Sequence, residues 1–105
     1  MAVVELTKDN FEQTIKDHDF IIVDFWAPWC GPCRMMAPAY EQAAQMLEPQ
    51  VRLAKVNTEE EQPLAARFGI SSIPTLVLLR GGRELGRQPG ALGLQDIVRW
   101  VRSKI

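Results

Sequence analysis

Cys30 and Cys33 are the only thiols in the chain, and they stand three apart in the run Trp29-Cys30-Gly31-Pro32-Cys33. In a first helical turn that spacing puts both side chains on one face, with Cβ atoms about 5–6 Å apart. A modest adjustment brings them to the roughly 4 Å that a disulfide requires. Pro32 fixes φ and stiffens the turn, and Gly31 lets another backbone come close. The expected chemistry is dithiol–disulfide exchange, because a C-x-x-C beside a strand–helix–strand pattern reads as a redox pair. A stabilising staple is the weaker reading. Closing a four-residue ring is worth only ~2 kcal/mol in chain entropy, against ~4.7 for a 100-residue loop. Zinc needs four ligands, and Cys30, Cys33 and the lone His18 supply three of the soft kind. No metal is expected, short of a carboxylate as fourth ligand or a dimer bridging two such pairs.

The two thiols should divide the work. Cys30, just ahead of the helix, meets unpaired N–H groups and the positive end of the dipole, which favour a thiolate. Cys33 lies one turn in, is expected to be more buried, and should be the poorer acid. Cys30 then attacks a substrate disulfide and Cys33 resolves the mixed disulfide. Asp24 is the second unusual residue. It interrupts the apolar run Phe20–Trp26, six residues before Cys30, where an unpaired carboxylate is costly or held protonated. Beneath the Cys30 loop, a carboxyl of raised pKa is placed to exchange a proton with Cys33. Pro74 opens a later apolar strand, a position where proline is tolerated.

These residues need a scaffold, and the pattern supplies one. Val3–Leu6 reads as a short strand, and Thr7 as a cap for a helix with Phe11 and Ile15 on its apolar face. Phe20–Trp26 is β-branched and aromatic, as a strand buried on both faces should be. Pro32 to about Leu47 reads as a helix that Pro38 should kink, with Met36, Ala39, Tyr40, Ala43 and Leu47 inward. Val51–Asn57 is a third strand, and a short helix around Pro63–Phe68 ends at Gly69. Thr75–Arg80 and Arg83–Arg87 flank a Gly81-Gly82 turn, and Leu94, Ile97, Val98 and Val101 line a last helix. The order β-α-β-α-β-α-β-β-α implies an α/β fold: a mixed five-stranded sheet with four helices on both faces. Parallel pairs are expected from the strand–helix–strand units and antiparallel ones from the closing hairpin.

The remaining arithmetic excludes other classes. The chain of 105 residues fits one domain spanning 1–105 and supports one real core. Apolar residues at 47% and charged residues at 24% argue against disorder. Twelve basic against thirteen acidic residues leave no excess to hold a nucleic acid. The longest apolar stretches fall far short of the ~20 residues of a membrane span. Met-Ala-Val-Val-Glu at the start lacks the basic and apolar regions of a secretory signal, so a cytoplasmic protein is expected.

The chain resembles the thioredoxins over essentially its whole length. The resemblance is carried by Val-Asp-Phe-Trp-Ala-Pro-Trp-Cys-Gly-Pro-Cys at 23–33, Pro38, Lys-Val-Asn at 55–57, Phe-Gly-Ile at 68–70, Ile-Pro-Thr at 73–75 and Gly90. It implies the thioredoxin fold, with Cys30 as nucleophile, Cys33 as resolving thiol and Asp24 as buried proton acceptor. It implies that Lys55 lies near Asp24 and favours its charged form; from the residues alone Lys55 reads as a surface side chain. It also implies a cis peptide before Pro74, with Ile73 pairing its backbone to an incoming peptide strand. Trp26, Trp29, Gly31, Pro32, Gly90 and Ala91 would border the docking surface. No bound cofactor is implied. The dithiol would be recharged from NADPH by a flavoprotein, thioredoxin reductase, since the chain has no nucleotide-binding glycine pattern. Disulfide-bearing proteins are the implied substrates, and a monomer the implied state.

Pro89 stands before Gly90 where many relatives carry a small β-branched residue, so that loop should be stiffer. Arg87 and Gln88 also depart from the family pattern, with no reading from sequence. Ala-Pro-Trp before Cys30 and Lys-Val-Asn-Thr-Glu at 55–59 resemble the thioredoxin-2 or C-like subgroup. Some of its members carry an N-terminal zinc module, for which this chain has no further cysteines. Two other readings compete: an oxidant or isomerase on the same fold, and a docking module that uses the site only as a surface. The Gly-Pro between the cysteines argues against the first, and a disulfide-reduction assay separates the second.

Overall fold

In a computed structural model that describes residues 3–105, the chain runs β1 (Val3–Glu5), α1 (Phe11–Asp17), β2 (Phe20–Trp26) and α2 (Gly31–Leu47). It continues through β3 (Val51–Asn57), α3 (Gln62–Arg67), β4 (Thr75–Arg80), β5 (Arg83–Pro89) and α4 (Leu94–Arg102). The strands form one mixed sheet in the order β1-β3-β2-β4-β5. The expected α/β architecture, with five strands and four helices, is the thioredoxin fold.

Alternation along each strand divides the core between the two faces of the sheet. On one face Ile22, Leu53, Leu76 and Leu78 meet Met36, Tyr40, Ala43 and Leu47 of α2 and Ile97, Val98 and Val101 of α4. On the other, Ile21, Val23, Phe25, Val77 and Leu79 pack on Phe11 of α1, Leu64 of α3 and Phe68. β2 lies at the centre and is buried on both faces, as its β-branched and aromatic run predicts. Gly81 and Gly82 take φ of +57° and +83°, the left-handed pair that a two-residue hairpin turn requires.

Two expectations need correction. β4 does not continue the parallel pattern: it runs antiparallel to β2, with Thr75 opposite Phe25 and Arg80 opposite Phe20. Alternation of strands and helices does not by itself set a strand's direction: the connection from Asn57 to Thr75 is long enough to reach either end of the sheet, and β4 begins at the end where β3 stops. Thr7 is also not the helix cap. Its hydroxyl accepts the Asp9 N–H at 3.2 Å in a turn, and α1 starts after Asn10. As expected, α2 carries Pro38 inside it, exposed, and runs from Gly31 to Leu47.

Candidate active site

Buried β2 ends at Trp26, and a short turn delivers Cys30 to the start of α2. Cys30 is the N-cap, in an extended conformation, and its sulfur accepts the Cys33 N–H at 3.2 Å. The two sulfurs are bonded, with Cα atoms 5.3 Å apart. Gly31 and Pro32 follow in the first turn, both exposed, and a Cβ built on Gly31 meets nothing within 4 Å. The expected difference in burial is slight: Cys30 is 5% exposed and Cys33 3%. What distinguishes the two sulfurs is the backbone, since an otherwise orphaned helix-start N–H is aimed at Cys30.

Behind the disulfide lies a cavity of about 70 Å³, room enough for water. Asp24, Trp26 and Lys55 of the sheet line it, with Cys33, Arg34, Tyr40 and Glu41 of α2. Asp24 is only 5% exposed and its Oδ1 has no hydrogen-bond partner. Burial raises its pKa from 3.8 to about 7, and the positive charge of Lys55 acts in the opposite sense. Lys55 is the direct cross-strand partner of Asp24 between β3 and β2. Its Nζ lies 5.0 Å from the centre of the Trp26 ring, a cation–π contact, and 3.8 Å from Glu5 Oε1. The Tyr40 hydroxyl, fully enclosed, lies 2.7 Å from the Ala54 carbonyl and 3.1 Å from that of Ile22, on the two strands just before this pair. Burial drives its pKa up, and the charge of Asp24 adds to the effect.

The outer side of the disulfide is a shallow surface. Trp29 is 65% exposed beside Cys30. Ile73, half-buried, packs against the cluster of Ala27, Cys30 and Cys33, and its carbonyl stands 3.9 Å from the Cys30 sulfur. The Ile73–Pro74 peptide is cis, and Pro74 is buried. Gly90 takes φ +90° and donates its N–H to the Pro74 carbonyl at 2.8 Å, which draws exposed Gly90 and Ala91 beside that loop. The geometry thus gathers Cys33, Asp24, Lys55 and Trp26 around the cavity, and groups Ile73, Pro74 and Gly90 on the side of Cys30. Pro38, exposed on α2, is not among the residues lining the cavity.

Residue patterns alone miss several of these. Tyr40 reads as one more apolar residue of α2, and its hydroxyl offers no periodic signal. Arg87, which has no reading from sequence, donates to the Phe68 carbonyl at 2.7 Å and to both carboxylate oxygens of Glu84. It ties β5 to the end of α3, which makes it a scaffold residue. A second cis peptide, Glu48–Pro49, links α2 to β3. Among the described residues no group of three or more His, Cys, Asp and Glu side chains could hold a metal ion. None of the described helices is long and apolar enough to cross a membrane.

Comparison with known proteins agrees with this geometry. The thioredoxin family model matches residues 2–103. The chain is 48% identical over 105 residues to a Streptomyces coelicolor protein named as a thioredoxin 2, covering 97% of this chain and 78% of the relative. It is 45% identical over 92 residues to thioredoxin 1 of Nostoc, covering 87% of this chain and 86% of the relative. A thioredoxin of Alicyclobacillus acidocaldarius is 48% identical over 92 residues, covering 84% of this chain and 88% of the relative. With a C-x-x-C pair at disulfide distance on the first turn of α2, the chain belongs to the thioredoxin family and is a thiol–disulfide oxidoreductase.

Proposed function

We propose that the chain acts as a single domain and a monomer, a general cytoplasmic reductant of protein disulfides that maintains redox homeostasis with electrons from NADPH through thioredoxin reductase. The observation that carries this reading is the disulfide itself. Cys30 takes the helix-start N–H, and Cys33 faces the same cavity as the partnerless carboxyl of Asp24.

In the reduced protein the Cys30 thiolate attacks a substrate disulfide, forming one S–S bond and releasing one substrate thiolate. Cys33 then passes its proton to the Asp24 carboxylate, and its thiolate attacks the Cys30 sulfur. The second substrate thiolate leaves, two electrons have moved to substrate, and the Cys30–Cys33 disulfide remains. Lys55 is the charge that keeps Asp24 able to ionise despite burial. Trp29, Gly31, Pro32, Ile73, Pro74, Gly90 and Ala91 form the surface on which the substrate lies, with the Ile73 backbone, outside the β4 ladder, open to pair with a peptide strand. Trp26 closes the rear of the site, and Pro38 belongs to the helix behind it.

Insulin reduction by dithiothreitol tests this: the chain should accelerate it, and no acceleration over dithiothreitol alone removes the reductase reading. Titration of the dithiol against glutathione then separates a reductant, whose disulfide persists until reduced glutathione is in large excess, from an oxidant, which little glutathione already reduces.

A further inference from the structure

Lys55 stands between two carboxylates, and only one of them belongs to the redox machinery. The parallel register pairs Lys55 with Asp24 across β3 and β2, and pairs Lys55 with Glu5 across β3 and β1. Register partners in a parallel ladder project from the same face. Asp24, Lys55 and Glu5 therefore form one row across three strands, at the end of the sheet nearest Cys33. Within the row, the carboxylate that forms an ion pair with the ammonium is Glu5. Lys55 Nζ lies 3.8 Å from Glu5 Oε1 and rests over the Trp26 ring, while Asp24 Oδ1 has no hydrogen-bond partner.

We propose that Glu5 is a positioning residue for the redox reaction: by holding the Lys55 ammonium toward β1, it withholds that charge from Asp24 and sets how readily Asp24 takes the Cys33 proton. This rests on the reading of Asp24 as the proton acceptor. An ion pair as exposed as Glu5–Lys55, with side chains 46% and 35% exposed, adds little to stability. Its effect is on where a flexible ammonium spends its time. The other groups facing Asp24 come from α2: Arg34, Glu41, the Tyr40 hydroxyl and Cys33. Arg34 and Glu41 carry opposite charges, so the balance along the row falls to Lys55 and Glu5. Too much positive charge at Asp24 would make it a weak base, and too little would leave it protonated. A carboxylate at position 5 sets a value between these limits.

The test follows the Asp24 carboxyl carbon by NMR through a pH titration of the oxidised protein, in which neither cysteine titrates; Asp24→Asn identifies the resonance. Glu5→Gln should lower the Asp24 midpoint by about half a pH unit, roughly threefold in proton affinity. In a Lys55→Met background the same substitution should move the midpoint by less than half that amount, the signature of an effect carried through Lys55. An unmoved midpoint in Glu5→Gln overturns the proposal. An equal shift in both backgrounds overturns it too, because Glu5 would then act directly across the field. The acceptor reading fails separately: if Asp24→Asn leaves the resolving step unchanged at every pH, Asp24 is no acceptor, whatever the midpoint does.

Discussion

The Cys33 N–H donates to the Cys30 sulfur at 3.2 Å, whereas the Cys30 N–H is committed to the Ala27 carbonyl at 3.1 Å. A helix-start donor therefore reaches one sulfur of the pair only. Negative charge developing on Cys30 meets an N–H and the positive end of α2; charge developing on Cys33 meets the cavity and Asp24 instead. The four-residue ring is chemically lopsided although its two sulfurs are about equally buried.

That asymmetry predicts the outcome of removing either thiol. Cys30→Ser should abolish turnover in insulin reduction and form no adducts with disulfide substrates. Cys33→Ser should still attack and accumulate a mixed disulfide through Cys30, visible on a non-reducing gel. Adducts trapped on Cys30→Ser instead would reverse the roles.

Asp24 should cost the fold stability in a pH-dependent way. Because burial raises its pKa from 3.8 to about 7, the native state binds this proton more tightly than the unfolded chain does. The contribution of the group is thus most favourable below about pH 4, declines between about pH 4 and 7, and reaches its minimum above 7. Asp24→Asn should be more stable than the parent by ~1–3 kcal/mol at pH 8, less than the full linkage because a buried amide also needs partners. At pH 4 the difference should largely vanish. Urea unfolding at the two pH values measures it, and a variant destabilised at both would mean that Asp24 is scaffolding.

The same substitution should slow the chemistry. Cys33 needs an acceptor, and Asp24 is one only when ionised, so the rate of resolving the mixed disulfide should rise as pH passes 7. Asp24→Asn should lose that inflection and run at least about tenfold slower at pH 7, converging with the parent where hydroxide takes over. Stopped-flow release of a fluorescent peptide thiol follows the step directly.

Gly90 links scaffold to surface. Its φ of +90° is strained for any side chain, although a Cβ there would meet nothing within 4 Å. Gly90→Ala should cost about 1–2 kcal/mol by urea unfolding, from backbone strain alone. As its N–H holds the Pro74 carbonyl, KM for insulin should rise more than kcat falls. A variant with unchanged stability would show that the loop relaxes freely.

The sequence made the chemistry legible where a residue broke its surroundings. Asp24 is visible because a carboxylate inside an apolar strand needs a reason, and Cys30 and Cys33 because their spacing suits a helix start. Lys55 carries no such contrast: on an alternating strand it resembles any surface lysine, and only the register with Asp24 reveals it. Glu5 is hidden for the same reason, one strand further out. The element boundaries followed from periodicity and the glycine turns, but periodicity has no direction, so the reversal of β4 was not readable from it. Arg87 was opaque because the partner that makes it a tie between segments is a main-chain carbonyl, that of Phe68, which leaves no mark in the sequence.

The end of the sheet at which β4 starts has a consequence beyond the direction of one strand. Because β4 starts where β3 stops, Ile73 arrives beside Cys30, 43 positions earlier in the chain. The meeting depends on the route of a connection as much as on side-chain identity. A connection that crossed to the opposite rim before β4 began would leave every residue of the site in the sequence and yet carry Ile73 and Pro74 away from the disulfide. The disulfide would then keep its helix and its carboxyl but lose the neighbouring main chain. In this protein the course of a loop is under the same constraint as a cysteine.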